Sequence, residues 1–220
     1  MTKPLSTDGE GLTERVLTKD EQDSLTPARV IELLREGNSR FVAGELTVRN
    51  HTAQIRRAVL SQYPKAIVLS CVDSRVPVED VFDRGIGDMF VARVAGNFVN
   101  ADILGSMEFA CHVSGAKLIL VLGHEHCGAI KGAIDGVELG NITEMLSRIR
   151  PAVEQLSDYA GEKSSSNEQF VHQVTERNVT LNLQRIRDES PILQKMESDG
   201  AIAIVGALYD MDNGAVTFVE

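Results

Sequence analysis

The chain has 220 residues, of which 43% are hydrophobic and 25% charged, and its formal net charge is −10. Such a composition belongs to a globular chain with a sizeable core and not to a disordered one. The acidic excess argues against non-specific binding to nucleic acid or to anionic membranes, and no run reaches the ~18 consecutive apolar residues of a membrane span.

Residues 1–25 are polar, lack periodicity and carry no apolar signal-peptide stretch. They read as an N-terminal arm ahead of a single α/β domain over 26–220. Ordered structure is expected to begin at Thr26-Pro27, an N-cap followed by proline at the first helical position. Val30, Leu33, Leu34 and Phe41 then recur at helical spacing. A second helix is expected over 52–61, ending before Pro64. Four short runs are apolar at consecutive positions: 66–70, 89–92, 118–122 and 201–205. This pattern suits strands buried on both faces of a parallel sheet. Helical patterns separate them at 78–84, 101–114, 128–134 and 141–157, and a long stretch over 167–197 precedes the last run. Gly161–Asn167 reads as a polar surface loop. Ala215–Val219 follows the turn signal Asn213-Gly214 and is expected as an antiparallel edge strand. The fold class that results is α/β: a mostly parallel four-stranded sheet with a C-terminal antiparallel edge strand, flanked by helices.

Ligands of open α/β sheets bind beyond the carboxyl ends of the strands. Cys71-Val-Asp-Ser-Arg75 follows the first run, and Gly123-His-Glu-His-Cys-Gly128 follows the third. Cys71, His124 and Cys127 form a Cys₂His set. Two thiolates and an imidazole suit tetrahedral Zn²⁺, with one position left open for water. His126 is a rival to His124, although adjacent residues converge less easily on one ion. Several other chemistries are excluded by spacing. Arg75 is four residues after Cys71 instead of the six of a cysteine phosphatase, and Gly128 is followed by Ala129-Ile130 instead of the Lys-Ser/Thr of a P-loop. Gly85-Ile-Gly87 lacks the third glycine of a dinucleotide loop, and no Cys-x-x-Cys is present.

Cys71-x-Asp73-x-Arg75 with His124-x-x-Cys127, and Arg93-Val-Ala-Gly-Asn97 between them, resembles the β-class carbonic anhydrases over residues 26–220. The cytoplasm is expected from the lack of a signal-peptide stretch and the odd, low cysteine count, and the resemblance implies a zinc lyase with one Zn²⁺ per chain, held by Cys71, His124 and Cys127. It implies reversible hydration of CO₂ to bicarbonate by zinc-bound hydroxide. Asp73 and Arg75 match the family's catalytic dyad, and Asp73 serves in some members as a fourth zinc ligand that closes the site. Gln62, Phe90, Ala95 and Phe109 fall at its substrate-pocket positions, where the family often has a larger residue at Ala95 and tyrosine at Phe109. Part of that lining comes from a partner subunit in the family, which implies a homodimer at least, with pairing into tetramers in some members. Arg93 and Tyr209 match two positions of an inhibitory bicarbonate site found in a subset of the family. The tryptophan of that site is replaced by Val68, so closure driven by bicarbonate is not expected.

Beside these readings stand plainer ones. Cys111, in a helical pattern, is expected in the core. His112 is expected at a helix surface or interface, and His51 and His172 are expected to face solvent, where either is a candidate proton acceptor. Glu125 and Asp83 acquire no role from the sequence. Three Asn-x-Ser/Thr triplets, at Asn50, Asn141 and Asn178, are taken as chance, and three cysteines do not make a disulfide framework. Two rivals to CO₂ hydration are a zinc hydrolase of the same fold acting on another small linear substrate such as carbon disulfide, and a zinc-binding module without activity.

Overall fold

The computed structural model describes residues 12–219. Within the stretch read as an arm, the described residues are structured. Helix α1 spans Lys19–Ser24 and is opened by a capping box, in which the Thr18 hydroxyl accepts from the Glu21 amide and the Glu21 carboxylate accepts from the Thr18 amide. Its buried Gln22 donates to the carbonyls of Pro64 and Ser114, at 2.7 and 2.8 Å. Ordered structure therefore begins before Thr26. The Thr18-x-x-Glu21 box was the sequence signal for it.

Helix α2, Pro27–Ala43, starts as expected, with the Thr26 hydroxyl accepting from the Arg29 amide at 3.2 Å, and it stops at Gly44 in the left-handed region. Helix α3 is His51–Ala58, followed by strand β1 at Ala66–Ser70, the short α4 at Val78–Val81 and β2 at Met89–Arg93. Helix α5, Ala101–Glu108, continues into a π-helical turn at Phe109–Val113. Strand β3 is Leu118–His124 and α6 is Gly128–Ile134.

The pattern over 141–157 is two helices, α7 at Gly140–Ser147 and α8 at Arg150–Glu154, with Pro151 in the first turn of the second. The stretch 167–197 also divides, into α9 at Glu168–Glu189 and α10 at Pro191–Ser198. Ser190 closes the first and caps the second, accepting from the Leu193 amide. Strand β4 is Ala203–Tyr209, later than the apolar run suggests, because the amides of Ala201 and Ile202 are taken by the Met196 carbonyl as α10 ends. Strand β5 is Val216–Val219.

Among the described residues the sheet order is β2-β1-β3-β4-β5. The first four strands run parallel and β5 pairs antiparallel with β4, so the sheet has five strands with the edge strand counted. Ile67, Leu69, Ile119 and Val121 point to one face and pack with Leu104, Met107 and Ile186, from α5 and α9. Val68, Leu118, Leu120 and Leu122 point to the other and pack with Val30, Leu34, Val81 and Phe82. A third cluster, with Ile130, Ile149 and Phe170, closes around Cys71 and Cys127. Cys111 is 2% exposed in the first cluster, where burial pushes its thiol up to about 12, so it is a core residue as expected.

The chain leaves β1 for β2 on one side and returns to β3 on the other. The carboxyl ends of β1 and β3 therefore flank the point where strand order reverses, the place where such sheets open a crevice.

Candidate metal centre

Cys71 is the residue after β1, His124 is the last of β3, and Cys127 caps α6. Ser70 pairs with Leu122 across the two strands, which brings the two loops level. The donor atoms of Cys71, His124 and Cys127 lie within 4.8 Å of one another, and all three residues are buried. The two Sγ atoms are 4.0 Å apart. A tetrahedral ion with Zn–S bonds near 2.3 Å requires about 3.8 Å.

The imidazole is oriented for ligation. Nδ1 of His124 lies 2.8 Å from the Glu125 carbonyl oxygen, an acceptor only, so the Nδ1 hydrogen is donated there. Met211 Sδ packs 3.3 Å from the same nitrogen. Nε2 is left buried without a partner. An orphaned imidazole nitrogen facing two sulfurs fits a soft divalent cation. The imidazole of His126 stands outside this group, and its residue has φ +54 and offers its carbonyl to Arg75 at 3.4 Å.

The two thiols are electrically unlike. Cys71 is held down, chiefly by the Cys127 thiol donating to it and also by the Gly96 amide, 3.3 Å from Sγ. The hydrogen bond to Cys71, burial and the Cys71 charge push Cys127 up. The pair thus shares a proton that a cation would displace.

Asp73 sits at the mouth. Arg75 donates from Nε to Oδ1 at 3.0 Å and from Nη2 to Oδ2 at 2.8 Å, and its own backbone amide also reaches Oδ1. This fork holds the Asp73 carboxyl well below the usual carboxylate range. Oδ2 stands 3.9 Å from His124 Nε2. Arg93, at the end of β2, donates to the carbonyls of Cys71 and Asp73 at 2.9 and 2.6 Å, bracing the same loop from its backbone side.

The family model described as carbonic anhydrase matches residues 66–216. Carbonic anhydrase 2 of Mycobacterium tuberculosis is 33% identical over 194 residues, covering 86% of this chain and 90% of that protein. Carbonic anhydrase of Mycolicibacterium smegmatis is 34% identical over 197 residues, covering 86% and 92%. The fold is shared with the β-carbonic anhydrase CafA of Aspergillus fumigatus, at TM-score 0.69 and 23% identity over 88% of this chain and 90% of that one. The chain belongs to the β-class carbonic anhydrases.

Within this carbonic anhydrase fold the chain brings together Cys71, Asp73, Arg75, His124 and Cys127, with Ala95 next to the Gly96 amide that touches Cys71. It does not bring the other three pocket positions to them. Gln62 precedes the amino end of β1, and Cys71 follows its carboxyl end, a strand of five residues or about 17 Å away. Phe90 is opposite Ile67 on the edge strand β2, and its ring meets that of Phe109 edge-on at 6.2 Å. Phe109 is 53% exposed. The two aromatic rings line an open groove of about 690 Å³ together with Ala92 and Ala101.

Sequence reasoning did not assign Met211, the Gly96 amide or Asn178, which donates to the Gly96 carbonyl at 2.9 Å. Nor did it find a partner for Glu125, whose carboxylate meets His172 Nδ1 at 2.6 Å and ties α9 to the β3 loop. Only contact across the fold reveals these. Asp83, left without a role, is fully buried and accepts from Arg40, Arg49 and Thr47.

Proposed function

We propose that this chain hydrates CO₂ reversibly to bicarbonate and a proton, with one zinc ion held by Cys71, His124 and Cys127. The reading is carried by the unpartnered Nε2 of His124, buried within 4.8 Å of two sulfurs, beside a carboxylate fixed by Arg75. Zinc would supply the acidification of water that makes hydroxide available near neutral pH.

The remaining work falls to the chain. Arg75 keeps Asp73 ionised and fixes both of its oxygens. The free lone pairs of Asp73 accept the hydrogen of the attacking oxygen and turn its lone pair toward the carbon of CO₂. The low basicity of Asp73 suits an orienting group better than a final proton acceptor. Ala95, a small residue next to the Gly96 amide that touches Cys71, suits a small linear substrate in this reading.

Gln62, Phe90 and Phe109 complete the substrate pocket in this reading only when a second subunit supplies the positions that one chain holds apart. A homodimer is therefore the proposed active unit. The fold match to tetrameric β-carbonic anhydrases of Sordaria macrospora, at TM-score 0.67 and 21% identity over 75% of this chain and 85% of that one, shows the fold alone. Three free cysteines favour a reducing compartment, the cytoplasm.

The test is stopped-flow CO₂ hydration on metal-quantified protein beside Cys127→Ser. About one zinc per chain, with activity abolished in the variant, is the expected result. Full zinc content without hydration would move the reading to another substrate or a binding role, with carbon disulfide as the next assay.

A further inference from the structure

Helix α9 carries two asparagines one turn apart, Asn178 and Asn182, that are 1% and 0% exposed. Both side-chain amides point at the segment following β2. Asn178 Nδ2 donates to the Gly96 carbonyl at 2.9 Å, and Asn182 Oδ1 accepts from the Val99 amide at 2.8 Å. Asn182 Nδ2 is spent on Asn178 itself, at 2.7 Å to the carbonyl and 3.3 Å to Oδ1. Such burial also removes the Asn178-Val-Thr triplet as a glycan acceptor.

Two buried amides in the wall of an apolar core are costly unless they are satisfied, and here they are satisfied by backbone groups of one turn that apolar side chains would leave unpaired. What the amides provide is direction. The residue that Asn178 holds, Gly96, has φ +81, and a Cβ there would lie 2.3 Å from Ile149 Cδ1, so the turn is confined to glycine. Its neighbour Asn97 has φ +38. This strained turn has one output toward the metal centre, the Gly96 amide at 3.3 Å from Cys71 Sγ.

We infer that Asn178, buttressed by Asn182, is a positioning residue for the metal centre: it holds Gly96 so that its amide stays on the Cys71 sulfur. The inference rests on the metal reading above. An N–H directed at a thiolate withdraws electron density from sulfur and fixes which lone pair faces the ion. Helix α9 thereby sets the donor strength of Cys71 although it supplies no ligand. Outer partners of this kind govern metal affinity as well as ligand orientation.

The experiment uses the full chain loaded with Co²⁺, whose thiolate-to-metal absorption reports donor strength directly. In Asn178→Ala that band is expected at longer wavelength than in the native chain, and cobalt is lost to a chelator with about tenfold weaker retention. In the metal-free chain, the backbone amides of 94–98 exchange faster with solvent. Thr175→Val, which removes a buried hydroxyl bonded only within α9, is expected to leave band and exchange unchanged. If Asn178→Ala does not fold, Asn178→Ser, which keeps a donor, is expected to give a smaller shift in the same direction. A lower melting temperature with native band position and native exchange would overturn the assignment of Asn178. A native chain with no cobalt–thiolate band would instead overturn the metal reading itself, so the two failures are distinguishable.

Discussion

Arg75 binds Asp73, two residues earlier in the chain, through both carboxylate oxygens, at 3.0 and 2.8 Å. The fork is short-range in sequence but specific in geometry, since a lysine offers a point charge and cannot bridge two oxygens in plane. Arg75→Lys is expected to keep zinc and fold while lowering kcat about 10²-fold, because the carboxylate loses its fixed direction. Metal analysis beside steady-state hydration rates separates this from ligand loss. Unchanged kcat would remove Arg75 from the mechanism.

The proposed ligand set determines the expected pH dependence. Two thiolates cancel the formal charge of Zn²⁺, so a water acidified at this site stays less acidic than one held by three neutral imidazoles. Hydration by metal-loaded protein should therefore rise between about pH 7 and about pH 8.5. A flat rate profile across that range would contradict the donor assignment.

Asp83 gives a stability prediction with a definite sign. Burial alone would raise its pKa, but the Thr47 hydroxyl, Arg40, Arg49 and the Thr47 amide more than offset this and hold it at about 2. A carboxyl with a pKa lower in the folded than in the unfolded state, near 3.9, contributes stability above the unfolded value and loses it as pH falls through the folded one. Asp83→Asn should cost about 2–3 kcal/mol at neutral pH. That difference should shrink from about pH 4 downward and be nearly gone below about pH 2. Urea unfolding of both proteins across this range reads it.

Val68, at the position where the resemblance implies tryptophan for an inhibitory bicarbonate site, lies fully buried in the core face of β1, and Arg93 is already engaged with the Cys71 and Asp73 carbonyls. Bicarbonate is expected to act as an ordinary product inhibitor. Hydration rates measured against rising bicarbonate should fall smoothly, and a steep cooperative loss would show that a second site exists.

If the pocket is shared between subunits, two defective chains can repair each other. Gln62→Ala and Asp73→Asn should each be poorly active alone. Mixed by reversible dissociation, they should regain up to about a quarter of native activity, the share expected of one intact site in each mixed dimer at half abundance. No recovery in demonstrably mixed dimers would place Gln62 and Asp73 in the same site of one chain or Gln62 outside it.

The sequence by itself determined the sheet and singled out Cys71, His124 and Cys127, whose donor atoms the fold brings within 4.8 Å of one another. Buried parallel strands must be apolar at consecutive positions, so Ala66–Ser70 and Leu118–Leu122 were legible without any contact information. The residues after them carried soft donors at close spacing, which is local information. Helix divisions at Pro151 and Pro191 were also written in the chain, although periodicity alone runs across them. Only the tertiary structure decided the rest. The tautomer of His124 depends on which acceptor lies beside Nδ1. The state of Cys71 depends on a glycine amide 25 residues on, held by an asparagine 82 residues further. The role of Asp83 depends on two arginines and a threonine more than 30 residues earlier. Hydrogen bonds of this kind are set by where backbone groups come to rest after packing, and no periodicity or spacing along the chain encodes that position.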